Sequence, residues 1–270
     1  KIKPPLSNTA LLLTITIATF IVMYVGAMII WGHGFLNPQQ FFNIFNNNAY
    51  LIIIACGLTI VMISGGIDIS VGGQIALITM STVVLLENNH CSVGTALLVS
   101  LGIGLAFGVV QGFLVSYLKI QPFIVTLAGM FLAKGLTTII HVQPLTVTSN
   151  EAFLKVKDFY INLPGIGSYA RNGTFIPSYL EIGAIIAILA VVLLWAFLKW
   201  TRLGRNFYAI GGNSESALML GINVQRTRFL AYVLCDVVGG GHPITDGGKG
   251  TEPKSTLVVR PVEKAAVYEL

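Results

Sequence analysis

Six long apolar runs constrain this chain more than any other feature of its sequence. They cover residues 10–31, 50–64, 69–86, 93–117, 123–140 and 180–200. A helix that crosses a bilayer needs roughly 17 to 25 mostly apolar residues, because backbone polar groups in lipid must be satisfied internally. Only 10% of the residues are charged, whereas about a quarter of a soluble domain is charged. The sequence therefore predicts an all-α, polytopic membrane protein with about six full spans and the start of a seventh.

The basic residues of the short connections predict its orientation. They precede the first run, separate the fourth from the fifth and follow the sixth: Lys1, Lys3, Lys119, Lys199, Arg202 and Arg205. The connections 32–48 and 87–92 contain no Lys or Arg. Because basic residues are retained on the cytoplasmic side, we expect the amino terminus in the cytoplasm. The net charge is +5, but the basic residues form no basic face interleaved with stacking aromatics, so no nucleic-acid partner is expected.

One polar stretch, TRLGRNFYAIGGNSESALMLGINVQRTR at 201–228, interrupts the apolar pattern. Its centre begins with capping residues and continues with good helix formers. Asn213 or Ser214 can cap a helix, and Glu215 suits the positive end of the helix dipole. The stretch predicts a short cytoplasmic helix that another protein binds; the alternative is a solvated loop.

Two glycine patterns predict close backbone approaches. SGGIDISVGG at 64–73 contains Gly66, Asp68, Ser70 and Gly72. It is either a tight turn in which Asp68 or Ser70 caps the next helix, or a turn that lines or gates a pathway. The fourth run carries a small residue at every fourth position, which predicts close helix packing: Ser100, Gly104, Gly108, Gly112 and Ser116.

Several chemistries find no support in the sequence. The few acids suggest no catalytic pair or triad. The spacing of Cys56, Cys91 and Cys235 indicates neither a disulfide framework nor a metal site. GGKG at 247–250 lacks the residues of a phosphate-binding loop. We therefore expect no catalytic residue, no bound metal and no cofactor in this chain.

The composition changes after residue 235. A seventh apolar run begins at 229 but meets Asp236 and the glycines at 239–241 after too few residues to cross a membrane. We expect a membrane domain at 1–235, incomplete at its carboxyl-terminal side, and a polar, disordered tail at 236–270.

Three motifs resemble the permease subunits of bacterial ABC importers for simple sugars, the ribose, xylose and galactofuranose group. They are GLTIVMISGGIDISVGG at 57–73, LKIQPFIVTLAGMFLAKGL at 118–136 and the segment 201–232. The galactofuranose-type permease looks nearest. The resemblance implies a multi-pass protein of the bacterial cytoplasmic membrane that forms the translocation path of an ATP-driven monosaccharide importer.

The same resemblance implies partners and an ATPase-coupling loop. The partners are membrane lipid, a second permease subunit, identical or different, cytoplasmic ATP-binding subunits that use ATP and Mg²⁺, and an extracytoplasmic sugar-binding protein. The loop residues that match are Gly211, Gly212, Asn213, Glu215, Ala217, Leu220 and Gly221, with Asn213, Glu215, Ala217 and Leu220 expected to contact the ATPase.

Two other functions remain open at this point. An ion- or proton-coupled secondary transporter would place carboxylates or histidines in mid-membrane, and Asp68 comes near that position at the end of a run. A truncated membrane protein that does not transport is the other alternative.

Overall fold

A computed structural model describes residues 8–31, 38–142, 145, 147–148, 150–157, 159–169 and 175–240. The expected polar tail after residue 240, the GGKG sequence and the first two lysines lie outside these residues.

Within the described residues the chain is mostly helical, with one two-stranded sheet. In chain order the elements are α1 (Asn8–Trp31), α2 (Pro38–Ile63), α3 (Val71–Glu87), α4 (Val93–Ser116), α5 (Pro122–Ile140), α6 (Glu151–Lys157), β1 (Tyr160–Tyr169), β2 (Phe175–Glu181), α7 (Ile182–Trp200), α8 (Arg202–Gly212), α9 (Ser214–Met219) and α10 (Val224–Gly240).

Five of these helices are long and apolar enough to cross a membrane: α1, α2, α4, α5 and α7. α3 is also apolar but has 17 residues, the lower limit for a span. The predicted all-helical, polytopic membrane protein is confirmed. The number of spans and the side of the amino terminus stay predictions.

The chain divides into two compact units. The first comprises the described residues within 1–44 and 162–180, and the second comprises the described residues within 45–161 and 181–270. In the first unit, the side chain of Gln39 accepts a hydrogen bond from the backbone N–H of Tyr179 over 2.8 Å. The rings of Tyr24 and Phe41 meet edge to face there, with 6.3 Å between their centroids.

The second unit is held together by a main apolar core, a smaller apolar cluster of Ala49, Ile53 and Ala187, and a close helix pair. The buried core side chains come from six helices: Ile60, Val61, Val115, Val125, Leu198, Phe207, Ala231, Tyr232 and Cys235. The helix pair is α4 and α10. A methyl group added at Gly108 would lie 2.8 Å from the Cα of Val233, and one at Gly112 would lie 3.0 Å from the carbonyl oxygen of Phe229. The small residues of α4 thus let two backbones touch, which is how helices pack tightly in lipid.

α10 does not end where the apolar run ends. The helix continues through Asp236 to Gly240, so the domain boundary expected at residue 235 falls inside it. Asp236 is only 1% exposed. Its side chain faces protein, and an acidic residue in such a position does not have to terminate a helix.

The connection between α5 and α7 contains more order than its sequence indicated. The sequence near Ala152 to Phe159 indicates a short amphipathic helix, which is present as α6, whereas the paired strands β1 and β2 are not predicted by the sequence. The proline and glycines in INLPGIGSY indicated a loop, because these residues are depleted in strands.

The α4–α10 contact can be tested with a matched pair of glycines. A Cβ at Gly104 would overlap the carbonyl oxygen of Asp236, whereas a Cβ at Gly102 would have no atom within 4 Å. We expect Gly104→Ala to destabilise the protein by about 1 to 3 kcal/mol through overpacking. Gly102→Ala should be neutral or stabilising, since alanine is the better helix former. Thermal unfolding of the two purified variants in detergent measures the difference, and equal melting temperatures would contradict this packing.

Candidate functional site

The polar stretch folds into two short helices, one more than its sequence predicted. We call residues 201–223 the polar arm. α8 begins after Thr201, whose hydroxyl accepts a hydrogen bond from the N–H of Gly204 over 3.0 Å. α9 begins after Asn213, whose Oδ1 accepts from the N–H of Ser216 over 2.9 Å, as the capping pattern predicted. α8 was missed because its three glycines lower helix propensity.

α8 is seated firmly on the second unit. Its buried residues follow one another at intervals of three: Gly204, Phe207 and Ile210. Phe207 is part of the apolar core, and its ring centroid lies 6.4 Å from that of Phe197 in α7. Gly204 lies directly against the backbone of Leu198, where a Cβ would not fit. This face of α8 fixes the polar arm to the end of α7.

The polar arm also touches the turn between α2 and α3. We call residues 64–73 the glycine turn. A Cβ at Gly211 would overlap the carbonyl oxygen of Ile63, the last residue of α2. Gly65 has a φ of +79°, a conformation that favours glycine, and it faces the Cα of Gly211. The arm and the glycine turn therefore form one continuous contact.

The outward surface of α9 is apolar at its tip. Leu218, Met219 and Leu220 are 64%, 87% and 79% exposed. Gly221 follows with a φ of +81°, and its N–H donates to the carbonyl of Leu218 over 2.9 Å, a common helix-ending geometry. We call Leu218, Met219 and Leu220 the α9 tip.

The remaining loop residues divide between surface and interior. Gly212, Asn213 and Glu215 are exposed, and Leu220 belongs to the α9 tip. Ala217 was expected to contact a partner, but it is 1% exposed. Ala217 lies on the side of α9 that packs against the rest of the chain, and its contact with a partner stays a prediction. Leu218 and Met219, which we did not single out, are accessible instead.

A large cavity lined by both apolar and polar residues adjoins α9. It has a volume of about 780 Å³, and residues of the polar arm, of the α4–α5 connection and of α10 line it, among them Glu215, Lys119, Gln121 and Arg228. Two connections that the sequence placed on the cytoplasmic side thus meet at one end of the second unit.

The glycine turn contains a buried hydrogen-bond network. Asp68 Oδ1 accepts from the N–H of Ser70 over 2.9 Å and from its hydroxyl over 2.6 Å. The amide of Gln74 donates to the Ser70 hydroxyl oxygen over 2.7 Å, and Gln111 Oε1 in α4 lies 3.2 Å from that oxygen. Neither Asp68 nor Ser70 caps α3 with its side chain, so the capping prediction is wrong. The Asp68 carboxylate instead accepts both hydrogen bonds of Ser70 within the turn.

The glycine turn is also attached to α10. The hydroxyl of Tyr232 donates to the carbonyl of Ile67 over 3.1 Å. A Cβ at Gly66 would lie 2.8 Å from that hydroxyl oxygen, whereas one at Gly72 would have no atom within 4 Å. Of these two glycines, only Gly66 is required for a close approach. Tyr232 and Gln111 could not be found from local sequence, since both reach the turn from distant helices.

The chain matches known permeases over most of its length. The family model described as "Branched-chain amino acid transport system / permease component" matches residues 40–240. The fructose import permease protein FruG of Bifidobacterium longum is 34% identical over 221 residues, which are 80% of this chain and 62% of that protein.

Two Escherichia coli relatives are similarly close. The inner membrane ABC transporter permease protein YjfF is 34% identical over 223 residues, covering 82% of this chain and 63% of YjfF. The ribose import permease protein RbsC is 32% identical over 206 residues, covering 76% and 60%. The chain thus spans about three fifths of the length of these relatives. No solved structure is significantly similar to it. Since the family match contains the glycine turn and the whole polar arm, this membrane protein belongs to the family of ABC transport permease components.

Proposed function

We propose that this chain is part of the permease subunit of an ATP-driven importer of a simple sugar in the bacterial cytoplasmic membrane. The observation that carries the proposal is the α9 tip, an exposed apolar surface on an arm that is otherwise anchored in the core. Contiguous exposed apolar residues mark sites of protein contact. The printed functions of the fructose and ribose import permeases support a sugar as the transported molecule.

The α9 tip is suited to contact a cytoplasmic ATP-binding subunit. Its apolar side chains would enter a groove on that subunit, and Glu215 at the first turn of α9 would lie at the rim. ATP and Mg²⁺ would be bound and used by the partner subunit. Asn213 and Gly221 act by beginning and ending α9.

The anchoring of the polar arm explains how a movement of α9 reaches the membrane helices. Phe207 ties the arm to the apolar core, and Gly211 rests on the end of α2 beside the glycine turn. Packed interiors transmit displacement because they are as dense as organic crystals. When the ATP-binding subunits close, the arm would carry the ends of α2 and α7 with it and change the access of a sugar site.

A complete importer requires further components. We propose a second permease subunit, identical or different, that forms the pathway together with this one, and an extracytoplasmic sugar-binding protein that delivers a sugar such as galactofuranose. Uptake that continues without ATP and depends on an ion gradient would contradict this function and favour secondary transport.

The contact through the α9 tip can be tested by making it charged. We expect Leu218→Asp combined with Met219→Asp to reduce the affinity for the ATP-binding subunit at least about tenfold, because central apolar contacts of an interface each contribute more than about 1 kcal/mol. Co-purification and the ATP hydrolysis stimulated by the sugar-loaded binding protein measure the loss.

Tyr208→Asp is the matched control for that variant. Tyr208 is an exposed apolar side chain of the same arm but lies on α8. It should keep both binding and stimulated hydrolysis. If the α9 variant assembles and hydrolyses ATP as the unaltered protein does, the tip is not the docking surface.

The transmission step can be tested at two neighbouring glycines. Gly211→Ala introduces a methyl group where the carbonyl of Ile63 lies, whereas Gly212→Ala meets no atom within 4 Å. We expect Gly211→Ala to keep the ATP-binding subunit bound but to lower sugar uptake per ATP hydrolysed, because the arm no longer rests on α2. Gly212→Ala should behave like the unaltered protein. If the two variants take up the same amount of sugar per ATP hydrolysed in reconstituted vesicles, the contact between the polar arm and α2 does not transmit the movement.

A further inference from the structure

Three potential metal ligands converge inside the second unit. Asp68 comes from the glycine turn, and Cys235 and Asp236 come from α10. One ligand atom of each lies within 4.8 Å of the other two, and all three residues are buried. We call them the acid–thiol cluster. The transport function proposed above uses none of its side chains as a ligand.

The two carboxylates of the cluster lack a compensating charge. Asp68 has the Ser70 hydrogen bonds on Oδ1, and the Cys235 thiol lies 3.8 Å from its Oδ2. Neither oxygen of Asp236 has a hydrogen-bond partner in the described part of the chain. No Lys, Arg or His of the described residues forms an ion pair with either carboxylate. Burying two ionised carboxylates side by side is unfavourable, and either protonation of one of them or a bound cation relieves the cost.

Space for a small ion lies next to the unpartnered carboxylate. Gln74, Cys235 and Asp236 line a cavity of about 10 Å³ together with apolar side chains of α2 and α3. That volume is about what one water molecule needs. The Asp236 side chain faces this cavity with no hydrogen bond that would have to break if it moved.

We propose that Asp68, Cys235 and Asp236 bind a divalent metal ion of the zinc type. One sulfur and two carboxylate oxygens form a donor set of intermediate softness, which suits Zn²⁺ better than Mg²⁺ or Ca²⁺. Bonds of about 2.0 to 2.3 Å place tetrahedral ligand atoms about 3.5 Å apart, so the side chains need to close by about 1 Å. The thiol of Cys235 gives up its proton to solvent as the sulfur binds. A water molecule or the Gln74 side-chain oxygen fills the fourth position.

A bound ion would join the glycine turn to α10. The two are already connected by the Tyr232 hydroxyl and the carbonyl of Ile67, and the polar arm rests on the same turn. Metal coordination adds a second and stronger link at this junction. The ion would therefore restrain any movement of the turn relative to α10.

Zinc binding to the purified full chain in detergent tests the site. We expect one Zn²⁺ per chain and a higher melting temperature with zinc than with a chelator. Co²⁺ should produce a sulfur-to-metal absorption band, because Cys235 is a ligand. Cys235→Ser should abolish the band and weaken zinc binding by more than the roughly 10- to 100-fold that loss of an outer-shell partner costs. Cys56→Ser is the control, since this buried cysteine of α2 lies outside the cluster.

The Asp236→Asn variant distinguishes the loss of a metal ligand from misfolding of the protein. Replacing this carboxyl group by an amide should leave the melting temperature in chelator unchanged or higher and abolish the further rise with zinc. A misfolded variant would instead melt at a lower temperature both with zinc and with chelator. Cys235→Ser is the second check: it should also lose the rise in melting temperature with zinc while still unfolding cooperatively. Absence of zinc binding in the unaltered chain, or an unchanged cobalt band in Cys235→Ser, overturns the proposal.

Discussion

The close contact between α4 and α10 is the interaction on which the second unit depends. Its glycines allow the two backbones to touch, and in lipid such contact replaces the hydrophobic driving force that holds soluble helices together. Gly108 lies against Val233, and Gly104 lies against the backbone of Asp236. Because these contacts fix the position of α10 against α4, Tyr232 reaches the glycine turn, and Cys235 and Asp236 lie beside Asp68.

The polar arm combines a fixed base with an accessible end. α8 is buried through Phe207 and Ile210, while the α9 tip is exposed. A flexible loop would absorb a displacement, whereas a short helix joined to the core passes it on. The same arm rests on the glycine turn, so the base of the arm and the buried network of Asp68 belong to one packed region.

The elements that the sequence predicted well depend on local patterns. The long apolar helices follow from hydropathy, and the cap at Asn213 follows from the chemistry of its side chain. α8 was not predicted because its glycines lower helix propensity. The β1–β2 hairpin was not predicted because glycine and proline are depleted in strands. The burial of Ala217 was not predicted either. A helix of six residues is too short for its sequence to show which face is buried.

By itself, the sequence determined the helical membrane class, the family motifs and the regions that carry the polar arm and the glycine turn, because lipid restricts a spanning chain to helices. The tertiary structure decided which helix packs against the small residues of α4. It also decided which residues form hydrogen bonds with the side chains of the glycine turn. It also decided that Cys235 and Asp236 lie beside Asp68, although the spacing of the cysteines had predicted no metal site. Residues separated by 167 positions leave no local pattern, because only the packing of α10 brings them together.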